Sequence, residues 1–134
     1  MSYTLCLQAL EDVVNTYATA NSLPVVYDGM ERDPVDAEVS LVCSFMPGRS
    51  SGATLGQTGV DERPGIYQIS VRTHRGRGSG VALGHADALV SAFKRKQLTV
   101  GGTTVHAFRA WPSGGIVDGD TYSVPVTVQW LFFE

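Results

Sequence analysis

The stretch Gly65 to Thr73, GIYQISVRT, followed at once by the basic, glycine-rich run His74 to Gly80, HRGRGSG, decides how this chain is read. Its alternation places Tyr67, Ile69, Val71 and Thr73 on one face and Ile66, Gln68, Ser70 and Arg72 on the other, the period of a strand buried on one side. That pattern predicts the central strand of a sheet. Gly76, Gly78, Ser79 and Gly80 then separate it from an apolar helical pattern starting near Val81, so the strand hands the chain through a loop to a covering helix.

Working outward, Ser79 is the candidate N-cap of that helix, with Ala82, His85 or Ala86, Leu89, Val90 and Phe93 as its inward stripe. Lys94, Arg95 and Lys96 crowd its expected last turn, where cations suit the helix dipole. Upstream, Ser2 to Ala20 reads as a helix capped by Ser2, with Cys6, Ala9, Leu10, Val13 and Tyr17 at helical spacing. Leu5, Leu7 and Val14 widen its apolar surface, an arrangement that lets it touch a neighbouring molecule as well as its own sheet. Leu23 to Tyr27 reads as a short strand whose proline favours a sheet edge, and Val39 to Met46 as a second strand. Downstream, Leu98 to Val100 and Thr103 to Arg109 flank Gly101-Gly102, a pair suited to a hairpin turn. Ala110 to Tyr122 reads as irregular, and Ser123 to Phe133 closes the chain with Val124, Val126, Val128, Trp130 and Phe132 on one face. The predicted class is α+β: a mixed, mostly antiparallel sheet with two helices packed on one face.

A chain of 134 residues, 43% hydrophobic and 17% charged, is expected to form a single domain over residues 1–134 with its own core. Cys6 and Cys43 stand alone in apolar patterns, without a CxxC or a histidine pair, and are read as buried thiols. The opening carries no basic n-region, and no apolar run approaches the ~20 residues that cross a bilayer, so the chain is expected in the cytosol when made, without membrane contact. A net charge of −3 argues against broad nucleic-acid binding. Pro47 to Pro64, PGRSSGATLGQTGVDERP, is too poor in apolar residues to pack a core. It is expected to be a long flexible loop or a projecting hairpin that orders on a partner, with Thr54-Leu55 as a scrap of strand. Arg49, Ser50, Thr54, Leu55 and Gln57 are its candidate docking residues.

Catalysis finds no support. HRGRGSG lacks the lysine-serine pair of a P-loop and does not fit GxGxxG, which leaves a small nucleotide-binding enzyme using residues 74–80 as the competing class. Cys43 has no identifiable base, and His74, His85 and His106 show no ligand spacing. DGMERDPVDAE does not match an EF-hand. No cofactor, metal or catalytic residue is therefore assigned. What stands out is charge asymmetry. A basic tip at Arg72, His74, Arg75 and Arg77 contrasts with Asp28, Glu31, Asp33, Asp36 and Glu38, and opposite patches suit head-to-tail contact between copies of one chain. Ordinary solvated surface is the alternative.

The order of segments carries a family resemblance. A helix ending before LPVVYDG, a glycine-rich stretch with ATLG, then RPGIYQISV, a helix with ADALVSAF, LTVGGTTVH and finally YSVPVTVQW resembles the tail terminator (tail completion) proteins of long-tailed bacteriophages. The resemblance covers nearly the whole chain. It implies a virion subunit, assembled in the bacterial cytoplasm, that forms a homo-hexameric ring on the head-proximal end of the tail tube. Such a ring ends tube polymerisation and offers a surface to the head connector, with the genome passing through its lumen and no sequence-specific nucleic-acid contact. Its implied partners are further copies of itself, the major tail tube protein and the head completion protein. A head-tail joining or neck protein of related fold is the alternative within the same class.

Overall fold

The computed structural model describes residues 2–29, 39–52, 61–74, 76 and 80–133. In chain order the elements are α1 (Ser2–Asn21), β1 (Val25–Val26), β2 (Val39–Pro47), β3 (Ser51–Gly52), β4 (Asp61–His74), α2 (Gly80–Phe93), β5 (Lys96–Val100), β6 (Thr103–Pro112), β7 (Ile116–Asp118) and β8 (Thr121–Phe133). The strands form one sheet in the order β1-β2-β4-β8-β6-β5, with β3 added to β4 and β7 to β8. Among the described residues only β1 runs parallel to its neighbour, and every other pairing is antiparallel. This is the α+β arrangement that the alternating strands and two helical patterns predict.

The spine is β4 against β8, whose register sets Tyr67 opposite Val128, Ile69 opposite Val126 and Val71 opposite Val124. All six side chains are buried, because two strands of period two present their apolar sets to the same side when paired without a slip. Both helices cover that side. From α2 come Ala82, Ala86, Leu89 and Phe93; from α1 come Cys6, Ala9, Leu10, Val14 and Ala18, all in one core.

Several expectations shift on contact with the structure. The buried stripe of α1 runs through Cys6, Leu10, Val14 and Ala18, while Val13 and Tyr17 lie at its margin. Val14 therefore fills the chain's own core rather than reaching a neighbour, and Leu5 rests against the hairpin turn, where a Cβ on Gly101 would come within 3.1 Å of it. Helix α2 ends at Phe93. Lys94, whose N–H donates to the Val90 carbonyl at 2.9 Å, and Arg95, at φ 55°, form the turn that follows, and Lys96 already opens β5. The cations thus cluster past the helix end rather than in its last turn. The candidate cap Ser79 and the strand scrap Thr54-Leu55 lie outside the described residues. Pro47 to Pro64 is strand at both ends, since β4 starts at Asp61 and pairs with Ser51-Gly52 of β3, a hairpin arrangement.

The stretch Ala110 to Tyr122 is less irregular than expected. Strand β6 continues to Pro112, and β7 pairs with Thr121 to Ser123 of β8 around a turn at Gly119, φ 60°. The gap between β6 and β7 falls beside Pro125, which has no N–H to offer a neighbour; its carbonyl accepts from the Ser113 N–H at 2.8 Å. A register shift between Ala107 and Arg109 leaves Phe108 as the extra residue of a bulge, half-exposed.

Candidate functional site

Of the residues that sequence reasoning singled out, Arg72, His74, Asp28, Arg49 and Ser50 lie among the described residues. Arg72 lies on the helix-free face of the sheet between Ser40 of β2 and Ser123 of β8, and His74 is exposed at the last pair of β4, opposite Thr121. Arg75 and Arg77 lie outside the described residues. So do Glu31, Asp33, Asp36 and Glu38, but the register fixes where their stretch ends: Val39, the next residue, pairs with Thr73. Val39 and the start of the basic tip, Arg72 to His74, therefore share one end of the sheet.

Asp28 is exposed after β1 and belongs to a second acidic group that sequence spacing does not reveal. The Glu11 carboxyl is held above its ordinary range, first by partial burial and then by the nearby charges of Asp12 and Asp28. Helix α1 is pinned to this region by Tyr27, whose hydroxyl donates to Asn15 Oδ1 at 3.4 Å. Arg49 and Ser50 are exposed between β2 and β3; Thr54, Leu55 and Gln57 lie outside the described residues.

The two thiols and the Tyr67 hydroxyl are committed to the interior. Burial pushes the Cys6 thiol up to about 12 and the Cys43 thiol to about 11, so neither supplies a thiolate at neutral pH. The Tyr67 hydroxyl, without an oxygen or nitrogen partner among the described residues, lies against the Cys43 thiol, and burial raises its pKa as well. His85 bonds the Tyr17 hydroxyl through Nδ1 at 2.6 Å and ties α2 to α1. His106 sits in β6 opposite Gln97. Among the described residues no group of three His, Cys, Asp or Glu side chains is placed to hold a metal, and no helix is long and apolar enough to cross a membrane.

Sequence reasoning expects exposed apolar side chains on the first helix or the edge strands but does not say which residues they are. On the helix-free face Met46 pairs with Ile66, and Phe133 ends β8 half-exposed. Among the described residues the most exposed large apolar side chains are Ile116 and Val117 of β7, at 56% and 54%. A groove of about 290 Å³ runs between α1 and β5, walled by Ala9, Asp12, Val13 and Thr16 on the helix and by Gln97 to Thr99 on the strand. Neither feature has a motif; both come from where the topology leaves an edge.

Comparison with known proteins fits an assembly protein. A solved structure whose name carries no function shares 23% identity with this chain, covers 98% of it and 96% of its own length, and superposes with a TM-score of 0.81. A chain from the virion of a native gene transfer agent particle shares 17% identity over 99% of this chain and 98% of its own, with a TM-score of 0.65. At these identities the two establish a common fold. No curated protein matches the sequence significantly. The sequence model described as phage tail terminator protein matches residues 6–130, and on that match the chain belongs to the phage tail terminator family, as a structural protein of the virion tail.

Proposed function

We propose that copies of this chain close into a ring on the head-proximal end of the phage tail tube, where the ring ends tube growth and presents a surface to the head connector. The match to the terminator family over residues 6–130 carries the reading. The fold's occurrence in a gene transfer agent virion supports a place in an assembled particle. The chemistry agrees with a contact role. The thiols are buried and protonated, and large apolar side chains stay exposed on the helix-free face and on β7. Scattered apolar exposure is ordinary on a monomer, but the adjacent pair Met46 and Ile66 on the helix-free face, with Phe133 at the end of β8, offers apolar side chains to a protein contact.

In this reading the chain performs no catalysis and holds no cofactor. Its partners are its own copies, the tail tube protein and the head completion protein, and the genome passes through the lumen without sequence-specific contact. Arg49 and Ser50, with Thr54, Leu55 and Gln57 beyond them, belong to the segment that docks on the tube or connector. Arg72, His74, Arg75 and Arg77, with Asp28, Glu31, Asp33, Asp36 and Glu38, form a mixed-charge contact between copies. Shortening Ser50 to Gly59 tests the docking segment: folding should stay intact apart from the two-residue β3 while attachment to tails is lost, and normal attachment would remove that role.

A further inference from the structure

The groove between α1 and β5 has the form of a strand-addition site. Among the described residues β5 ends the sheet, so one side of its backbone has no strand partner, and a helix lies alongside that edge. An open edge flanked by a helix accepts an extended segment by main-chain hydrogen bonds, with alternate side chains entering the groove. Leu98 and Val13, both half-buried against the core, give the groove an apolar centre between its polar ends.

The same chain carries a segment that fits. Strand β7 is three residues long, as is the strand wall Gln97 to Thr99. It pairs only with β8 among the described residues, and its Ile116 and Val117 are β-branched and more than half exposed. The geometry points to β7 of one copy as the occupant of the α1/β5 groove of the next, a contact that rests on the self-assembly reading above. Antiparallel pairing with Val117 opposite Leu98 puts Val117 on the face of Val13 and Ala9, and sets Thr99 against Ile116. It also brings the turn that carries the exposed Asp120 of one copy toward the turn of Lys94 and Arg95 and the first residue of β5, Lys96, of the other, so the hairpin tip and the start of β5 attract.

Donor and acceptor are far apart in one chain. Thr99 pairs with Thr104, His106 with Leu131 and Ile116 with Ser123, which separates residues 99 and 116 by roughly 30 Å along β8 at about 3.3 Å per residue. The contact is therefore between copies and heterologous, the kind that propagates around a ring. A strand this short is an anchor within a larger interface, since a stable contact buries about 800 Å² on each partner.

The test is a disulfide pair at Thr99→Cys and Ile116→Cys, both at exposed positions; the native thiols are buried. Oxidation of the double variant should give a reducible ladder of covalent oligomers, while mixing the two single variants should give a dimer that neither forms efficiently alone. Val117→Asp should keep the wild-type circular dichroism and melting temperature yet shift the mass in light scattering to monomer. If the wild-type protein self-associates but the ladder is absent and Val117→Asp assembles normally, the β7 contact is wrong and the ring reading stands. If neither wild type nor variant self-associates at any concentration, alone or on tail tubes, and no ladder forms, both fail.

Discussion

Gly65 of β4 lies directly opposite Trp130 of β8, and the indole ring occupies the space that any side chain at residue 65 would need. Phe45 stacks on the far side of the arrangement with its ring 5.1 Å from that of Trp130 and 2° from parallel, and Tyr3 meets Trp130 edge-on. A glycine in the middle of a long strand thus marks a close approach. It lets the largest side chain of the core lie across the spine.

Gly65→Ala should consequently force the indole from its place and disturb the stack with Phe45. Overpacking of this kind costs about 1–3 kcal/mol, to be read as a lower denaturation midpoint with an unchanged slope. A stability equal to wild type would show that Trp130 has room to move.

The two cysteines give a pH signature. Both thiols titrate higher in the folded protein, at about 12 for Cys6 and about 11 for Cys43, than the ordinary value of 9.0. Above pH 9.0 the unfolded chain releases protons that the folded chain retains, so stability should be fully present below that pH and fall as pH rises toward 11 and 12. Replacing both by alanine should flatten that fall. Under native conditions at pH 8, thiol reagents should label the protein only as fast as it unfolds.

The 2.6 Å bond between the Tyr17 hydroxyl and His85 Nδ1 joins the two helices over the sheet. Tyr17→Phe should lower stability by about 1 kcal/mol, measured by chemical denaturation, without altering the secondary structure. An unchanged midpoint would mean that water replaces the bond without loss.

Charge reversal tests the contact proposed at the sheet end. Arg75→Glu with Arg77→Glu should reduce the assembled fraction at low ionic strength, and the difference from wild type should shrink as salt screens the surface. An unchanged mass at low salt would exclude those arginines from the contact while leaving the ring itself untouched.

The spine of this fold was legible because Ile66 to Thr73 and Val126 to Phe132 keep a period of two in their buried residues, and a one-residue slip would turn those side chains outward. What escaped depends on neighbours. Ile116-Val117 is a lone apolar pair among glycines, and it becomes a strand only because β8 starts early enough to offer it an edge. The bulge at Phe108 has no local mark, and Val13 and Val14 compete for one helix face that the sheet, not the spacing, assigns to Val14. The charged candidates were visible as composition. That Asp28 joins Glu11 and Asp12, or that Thr73 meets Val39 at the end of the acidic stretch, requires the register.

The central claim is that this protein stops the tail tube. Electron microscopy of particles made without it tests that most directly: the account predicts headless tails whose tubes run to uncontrolled lengths, restored to uniform length and joined to heads when the protein is added back. Tails of normal, uniform length attached to heads in its absence would contradict it.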